Sequence, residues 1–330
     1  MIIRFENWRF FSTLSSNQPR PASLTAILLF FLSFSLVMSG QETARESVQP
    51  KISFDARFEP SVTSKLSAAG DILVQPLMNN QEAGWFRLDP GVQGMRITAA
   101  QAEILGLTKS GTMRIITSSN KLEERPVWSG ASFQIGPLLA EGLDFAEMDQ
   151  PAAAAEEDNI IGVIGTAVLQ SAVAELEVNS GKVRLFDPSS YESESGPAAW
   201  QEFSVQRGLP AVSCRFEGDR EGKFGLDLRS PLGIMFFSSA VSSMALLQDR
   251  PTAPVTVSGA TFSQIPAQTG SLQWFEAAGM RVESPQAVFL VESIGLAAEK
   301  DLAGLLGREF LGGFVLVLDF AKSRLALLRK

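Results

Sequence analysis

The sequence predicts an all-β protein of two pseudo-symmetric lobes with only short helices, and three observations carry that expectation. Apolar segments are short, often alternating, and closed at regular intervals by turn residues. Long stretches with a helical period are few. The third observation is an internal echo: Gly84-Trp85-Phe86-Arg87-Leu88-Asp89-Pro90-Gly91 returns as Gly222-Lys223-Phe224-Gly225-Leu226-Asp227-Leu228-Arg229. A second echo follows in the same order. Gly162-Val163-Ile164-Gly165, trailed by Leu169, Val173, Leu176 and Leu185, recurs 142 positions later as Gly304-Leu305-Leu306-Gly307, trailed by Leu311, Val315, Leu318 and Leu327. Two unrelated hairpins share alternation, but not six identities at one spacing, so the chain reads as a duplicated unit with one aspartate per copy.

The elements follow in chain order. Residues 1–39 have the layout of a signal peptide: Arg4, Arg9 and Arg20 precede an uncharged apolar run, Leu24 to Met38, and Val37 and Ser39 suit the positions before a cut. That run is shorter than the about 20 residues that usually span a bilayer. The expected fate is therefore export to the periplasm or medium, with membrane anchoring through an uncleaved 24–38 segment as the alternative. Residues 40–66 are polar and mixed and read as a linker. A first lobe is expected over 67–190. Its strands are Asp71 to Leu77 and Gly84 to Leu88, and a short helix follows with Thr98 as N-cap, Gln101 at the capping-box position and Gly106 past its end. A hairpin arm is expected over 111–137, and the Ala-rich and acidic stretch 147–159 reads as a solvated loop. Turn formers from Asp187 to Pro197 mark the join, with an inter-lobe linker over 191–200. The second lobe, 201–330, repeats the order with strands Ala211 to Phe216 and Lys223 to Leu226. It closes on an apolar hairpin, Phe314 to Phe320 and Arg324 to Leu328.

Composition removes several chemistries. Histidine is absent, which excludes His-based triads, His-ligated zinc and imidazole proton shuttles. Cys214 is the only cysteine, so no intramolecular disulfide or thiolate metal cluster can form, and it reads as a buried apolar residue. No Gly-rich phosphate loop or spaced calcium-ligand loop is present, so neither cofactor nor metal is expected. A net charge of −8 argues against nucleic acid as partner.

What remains is carboxylate chemistry. Two apolar strands each ending in Asp would face each other if the lobes pack about a dyad. Like charges about 3 Å apart cannot both ionise, so the pair would share one proton and act as base and acid on a water. At these residues the chain resembles the aspartic peptidases, in an exported bacterial retropepsin-like branch with pepsin-like duplication. Phe86 to Gly91 is similar to the family's hydrophobic strand followed by Asp-Thr/Ser-Gly. Val163-Ile164-Gly165 and Leu305-Leu306-Gly307 are similar to its hydrophobic-hydrophobic-Gly element, and Leu311 to Leu328 to its terminal hairpin. The resemblance spans most of 67–330 and implies two aspartic-peptidase-like β-barrel lobes, a dyad of Asp89 and Asp227, and a polypeptide or unfolded protein in the inter-lobe cleft.

The departures from the pattern bear on activity. The family's residue after Asp is a hydroxyl that locks the two loops across the lobes; here Pro90 and Leu228 stand in its place, and Pro90 also lacks an N–H. The third position is Gly91 in one lobe and Arg229 in the other. Pointing inward, Arg229 would favour ionisation of both carboxylates; pointing outward, it would leave the pair intact. Two functions follow: a catalytically silent, peptide-binding relative, which these departures favour, or an active endopeptidase using Asp89 and Asp227.

Overall fold

A computed structural model of the chain describes residues 2–3, 49–116, 122–149, 159–193, 199–206, 208–259, 262–292 and 300–330. The expected export signal 1–39 apart from Ile2–Ile3, residues 150–158 of the stretch 147–159 and the tip of the first hairpin lie outside these residues; residues 147 and 148, expected in a loop, belong to the strand Phe145–Met148. No helix among the described residues is long and apolar enough to cross a membrane.

Each lobe is organised around the same four-strand crossing. In the first, Trp85–Leu88 runs parallel to Ile160–Ile164, which is antiparallel to Met95–Thr98, which is parallel to Phe145–Met148. In the second, Arg220–Leu226 runs parallel to Gly304–Leu306, which is antiparallel to Ile234–Phe236, which is parallel to Gln286–Leu290. The registers correspond as well: Leu88 pairs with Ile164 and Leu226 with Leu306. The central strand of each crossing is continuous in apolar residues and glycine because it is covered on both faces. Ile160–Ile164 and Gly304–Leu306 are buried at every position.

The lobes are tied by a separate sheet in which Val173–Glu177 pairs antiparallel with Phe314–Asp319. Leu176 pairs with Leu316 and Ala174 with Leu318, flanking Glu175 opposite Val317. Under the 142-residue repeat, Glu175 and Val317 are equivalent to each other, so the pseudo-dyad passes through that pair. Lys182–Phe186 and Arg324–Arg329 extend the sheet outward on its two sides.

Both lobes carry a hairpin after a short helix. In the first, Thr108–Ile116 pairs with Leu122–Ser129, leaving Thr108–Ile116 at the sheet edge. In the second, Ala253–Gly259 pairs with Phe262–Ser271. The first arm therefore starts earlier than the expected 111–137 and ends at Ser129. Beyond it Ser132–Ile135 turns back on Leu138–Glu141 as a second hairpin.

Three expectations need correction. Residues 51–66 are not linker. Lys51–Phe54 pairs with Leu138–Glu141, Ser64–Leu66 with Ile72–Val74, and Val62 is buried in the core. Their polarity reflects edge positions, where every second side chain meets solvent. The helix Ala99–Ile104 does follow Thr98, and Gly106 takes the left-handed conformation beyond it, but no side-chain cap bond forms at Thr98. Gln101 instead donates to the Ala83 carbonyl at 3.2 Å, a tertiary bond that displaces the capping box. The described part of the join is docked rather than free: Tyr191 and Trp200 pack against the outer face of the inter-lobe sheet. Cys214 is buried and free, and burial pushes its thiol pKa well up.

Candidate active site

Asp89 and Asp227 sit just past the ends of their strands in matching backbone frames. The Asp89 N–H donates to the Ile164 carbonyl at 2.9 Å, and the Asp227 N–H to the Leu306 carbonyl at the same distance. Two residues on, the Gly91 N–H donates to Asp89 Oδ1 and the Arg229 N–H to Asp227 Oδ1, each at 3.0 Å. The Val92 N–H then returns to the Asp89 carbonyl at 3.1 Å and the Ser230 N–H to the Asp227 carbonyl at 3.2 Å. A β-turn of this kind fixes each carboxylate's direction.

The turns are held from below by Gly165 and Gly307. A Cβ on Gly165 would stand 2.1 Å from the Val92 carbonyl oxygen, and one on Gly307 would stand 2.2 Å from that of Leu232. Gly91 is similarly confined, between Leu209 and its own Asp89. Pro90 and Leu228 are both buried, and neither offers a hydroxyl.

The carboxylates are electrostatically coupled across the lobes. Burial pushes the Asp227 pKa up, and the charge of Asp89 adds to the rise; the Arg229 and Ser230 N–H groups and the Arg229 charge oppose it without reversing it. Arg229 does point inward, yet it ion-pairs with Asp71 of the first lobe, Nε to Oδ1 3.7 Å. Its expected effect of keeping both carboxylates ionised is therefore outweighed at Asp227 by desolvation.

Sequence reasoning did not single out Arg87, Asp71 or Arg308. Arg87 Nε lies 3.6 Å from Asp89 Oδ2, and burial and the nearby Arg229 lower its pKa. The signal was present: along Trp85–Leu88, Phe86 and Leu88 are buried, so Arg87 shares a face with Asp89. Arg308, at the start of the helix after Gly307, reaches across to Gly70, where its guanidinium occupies the space a Cβ would need. Asp71 and Arg308 face each other's lobes through the dyad, which one strand's alternation does not reveal. Two cavities of about 130 and 170 Å³ lie elsewhere, one beneath the inter-lobe sheet by Glu175 and Arg184, the other by Ser132 and Gln134. No group of three His, Cys, Asp or Glu side chains among the described residues is placed to hold a metal ion.

Among solved structures, the aspartic proteinase from Irpex lacteus matches with a TM-score of 0.52 at 14% identity, covering 82% of this chain and 97% of that one. Basic 7S globulin from soybean matches with a TM-score of 0.46 at 11% identity, covering 85% of this chain and 95% of that one. No family model matches the sequence, and no curated protein matches it. The Irpex lacteus likeness, together with the repeated crossing, shows an all-β, two-lobed, aspartic-proteinase-like fold.

Proposed function

We propose that this protein is an exported, catalytically silent aspartic-peptidase-like protein that binds extended polypeptide in the cleft between its lobes. The observation that carries the reading is the placing of Arg87 against Asp89, with Arg229 beside Asp227. Hydrolysis by an Asp pair needs a water held by both carboxylates and one proton shared between them. The Arg87 guanidinium sets a cation 3.6 Å from the Asp89 carboxylate that would hold that water, and Pro90 and Leu228 supply no hydroxyl to lock the loops. Polypeptide as occupant is supported by the edge strand Thr108–Ile116, which offers backbone groups for strand-like pairing. Export is supported by the Arg residues and the apolar run of 1–39.

One observation favours the second reading, an active endopeptidase. The raised Asp227 pKa would supply the acid half of the pair. Incubating the folded protein with an unfolded polypeptide at acid to neutral pH, with mass-spectrometric detection of products, separates the two. Silence predicts no cleavage beyond that of the Asp89→Asn variant; products that this substitution abolishes would establish the enzyme.

A further inference from the structure

We infer that the cleft floor seats a carboxylate of the bound polypeptide between Arg87 and Arg229. The inference deepens the polypeptide-binding reading and rests on it. Among the described residues, the buried side-chain polar atoms without a hydrogen-bond partner are Arg87 Nε, Arg229 Nε, Ser230 Oγ and Gln206 Oε1. Three of these belong to the two Asp-bearing strand–turn segments. Gln206 belongs to the hairpin whose turn, Gly208-Leu209, packs on Gly91. Buried polar atoms are normally satisfied, so unsatisfied ones gathered at one seam mark the place of an absent partner.

The orphaned groups of the two arginines are donors, and their neighbours do not use them up. Asp89 and Asp71 approach at 3.6 and 3.7 Å, close enough for charge pairing and too far for hydrogen bonding. A guanidinium carries five N–H groups in a planar fork suited to carboxylates, so each arginine can hold its aspartate and a ligand oxygen together. Arg308 against Gly70 adds a third guanidinium to the seam. Against these three guanidinium groups stand Asp71, Asp89 and Asp227, and burial favours the neutral form of the last, so the orphaned guanidinium donors favour an acidic acceptor over a neutral one.

The carboxylate could come from an Asp or Glu side chain or from a peptide C-terminus, and calorimetric titration distinguishes them. Three otherwise identical uncharged peptides are compared: one with a central Glu and an amidated end, one with Gln and an amidated end, and one with Gln and a free C-terminal carboxylate. One of the two carboxylate peptides is expected to bind about tenfold more tightly than the Gln amide, the gain of a charge-assisted hydrogen bond. Which one gains identifies the source. Equal binding of all three would overturn the carboxylate seat while leaving the cleft as a peptide site; binding of none would overturn both. Arg229→Gln should remove the advantage of the carboxylate peptide over the Gln amide. Asp71→Asn should increase it, by freeing Arg229. If Arg229 merely latched the lobes, both substitutions would weaken all peptides alike, so a fall on Asp71→Asn alone overturns the inference even if Arg229→Gln fails to fold.

Discussion

Phe86 and Phe224 explain why two separate echoes recur in one order. Each lies three residues before its aspartate and packs on the first glycine of the other echo. A Cβ on Gly162 would stand 2.3 Å from the Phe86 ring and 2.5 Å from the Arg96 carbonyl oxygen; one on Gly304 would stand 2.8 Å from the Phe224 ring and 1.9 Å from the Met235 carbonyl oxygen. The motifs are thus two halves of one contact, made twice. Gly162→Ala and Gly304→Ala should each destabilise by about 1–3 kcal/mol, as overpacking does, read from urea midpoints. Asp227 makes a second prediction at this scale. Its folded pKa lies above the ordinary 3.8, so the folded state binds the proton more tightly than the unfolded. That contribution is fully present below 3.8 and is lost as pH rises through the folded value. Asp227→Asn should therefore gain stability relative to the wild type as pH rises from 3.8 through the folded value toward neutrality, and urea titrations along that series would show it. At this scale the sequence displayed the aspartates and the glycines, because a duplicated context isolates them. It hid Asp71 and Arg308, whose partners belong to the opposite lobe.

Among the elements, the inter-lobe sheet carries the most concentrated buried charge. Glu175 is almost fully buried, ion-paired with Arg184, and accepts a 2.7 Å hydrogen bond from the Tyr191 hydroxyl. Tyr191 also meets Phe186 and Trp200 edge-on, and Arg324 lies over Trp200 while pairing with the buried Asp319. Tyr191 is the only tyrosine of the chain, so its titration can be followed by ultraviolet absorbance. Burial first, then the Glu175 bond and charge, push its pKa above the ordinary 10. The tyrosinate should appear only at unusually high pH. Glu175→Gln should lower that midpoint while leaving it above 10, and an unchanged midpoint would show that Glu175 has no part in it. Removing the charge from one side of a buried pair should also destabilise, by up to about 3–5 kcal/mol. Of this sheet, the closing pair Phe314–Asp319 and Arg324–Arg329 was legible as an apolar hairpin. The docking of Tyr191 was not, because turn formers around it signal only a change of direction.

For the molecule as a whole, the repeat sets one axis. The 142-residue spacing makes Glu175 and Val317 self-equivalent, and they pair. The same repeat relates the two Asp-bearing turns, which are in electrostatic contact. The spacing alone could predict two similar lobes but not the charge pattern between them, since Arg87 and Arg229 sit where the two copies differ most, opposite Gly225 and Gly91 in the echo. The facing of Asp89 and Asp227 across that axis is the claim on which both functional readings depend. It is tested most directly by carboxyl NMR titration of aspartate-labelled protein, wild type and Asp89→Asn. The account predicts an Asp227 midpoint above 3.8 that falls when the charge at position 89 is removed. An Asp227 that titrates in the ordinary range, and is indifferent to Asp89→Asn, would contradict it.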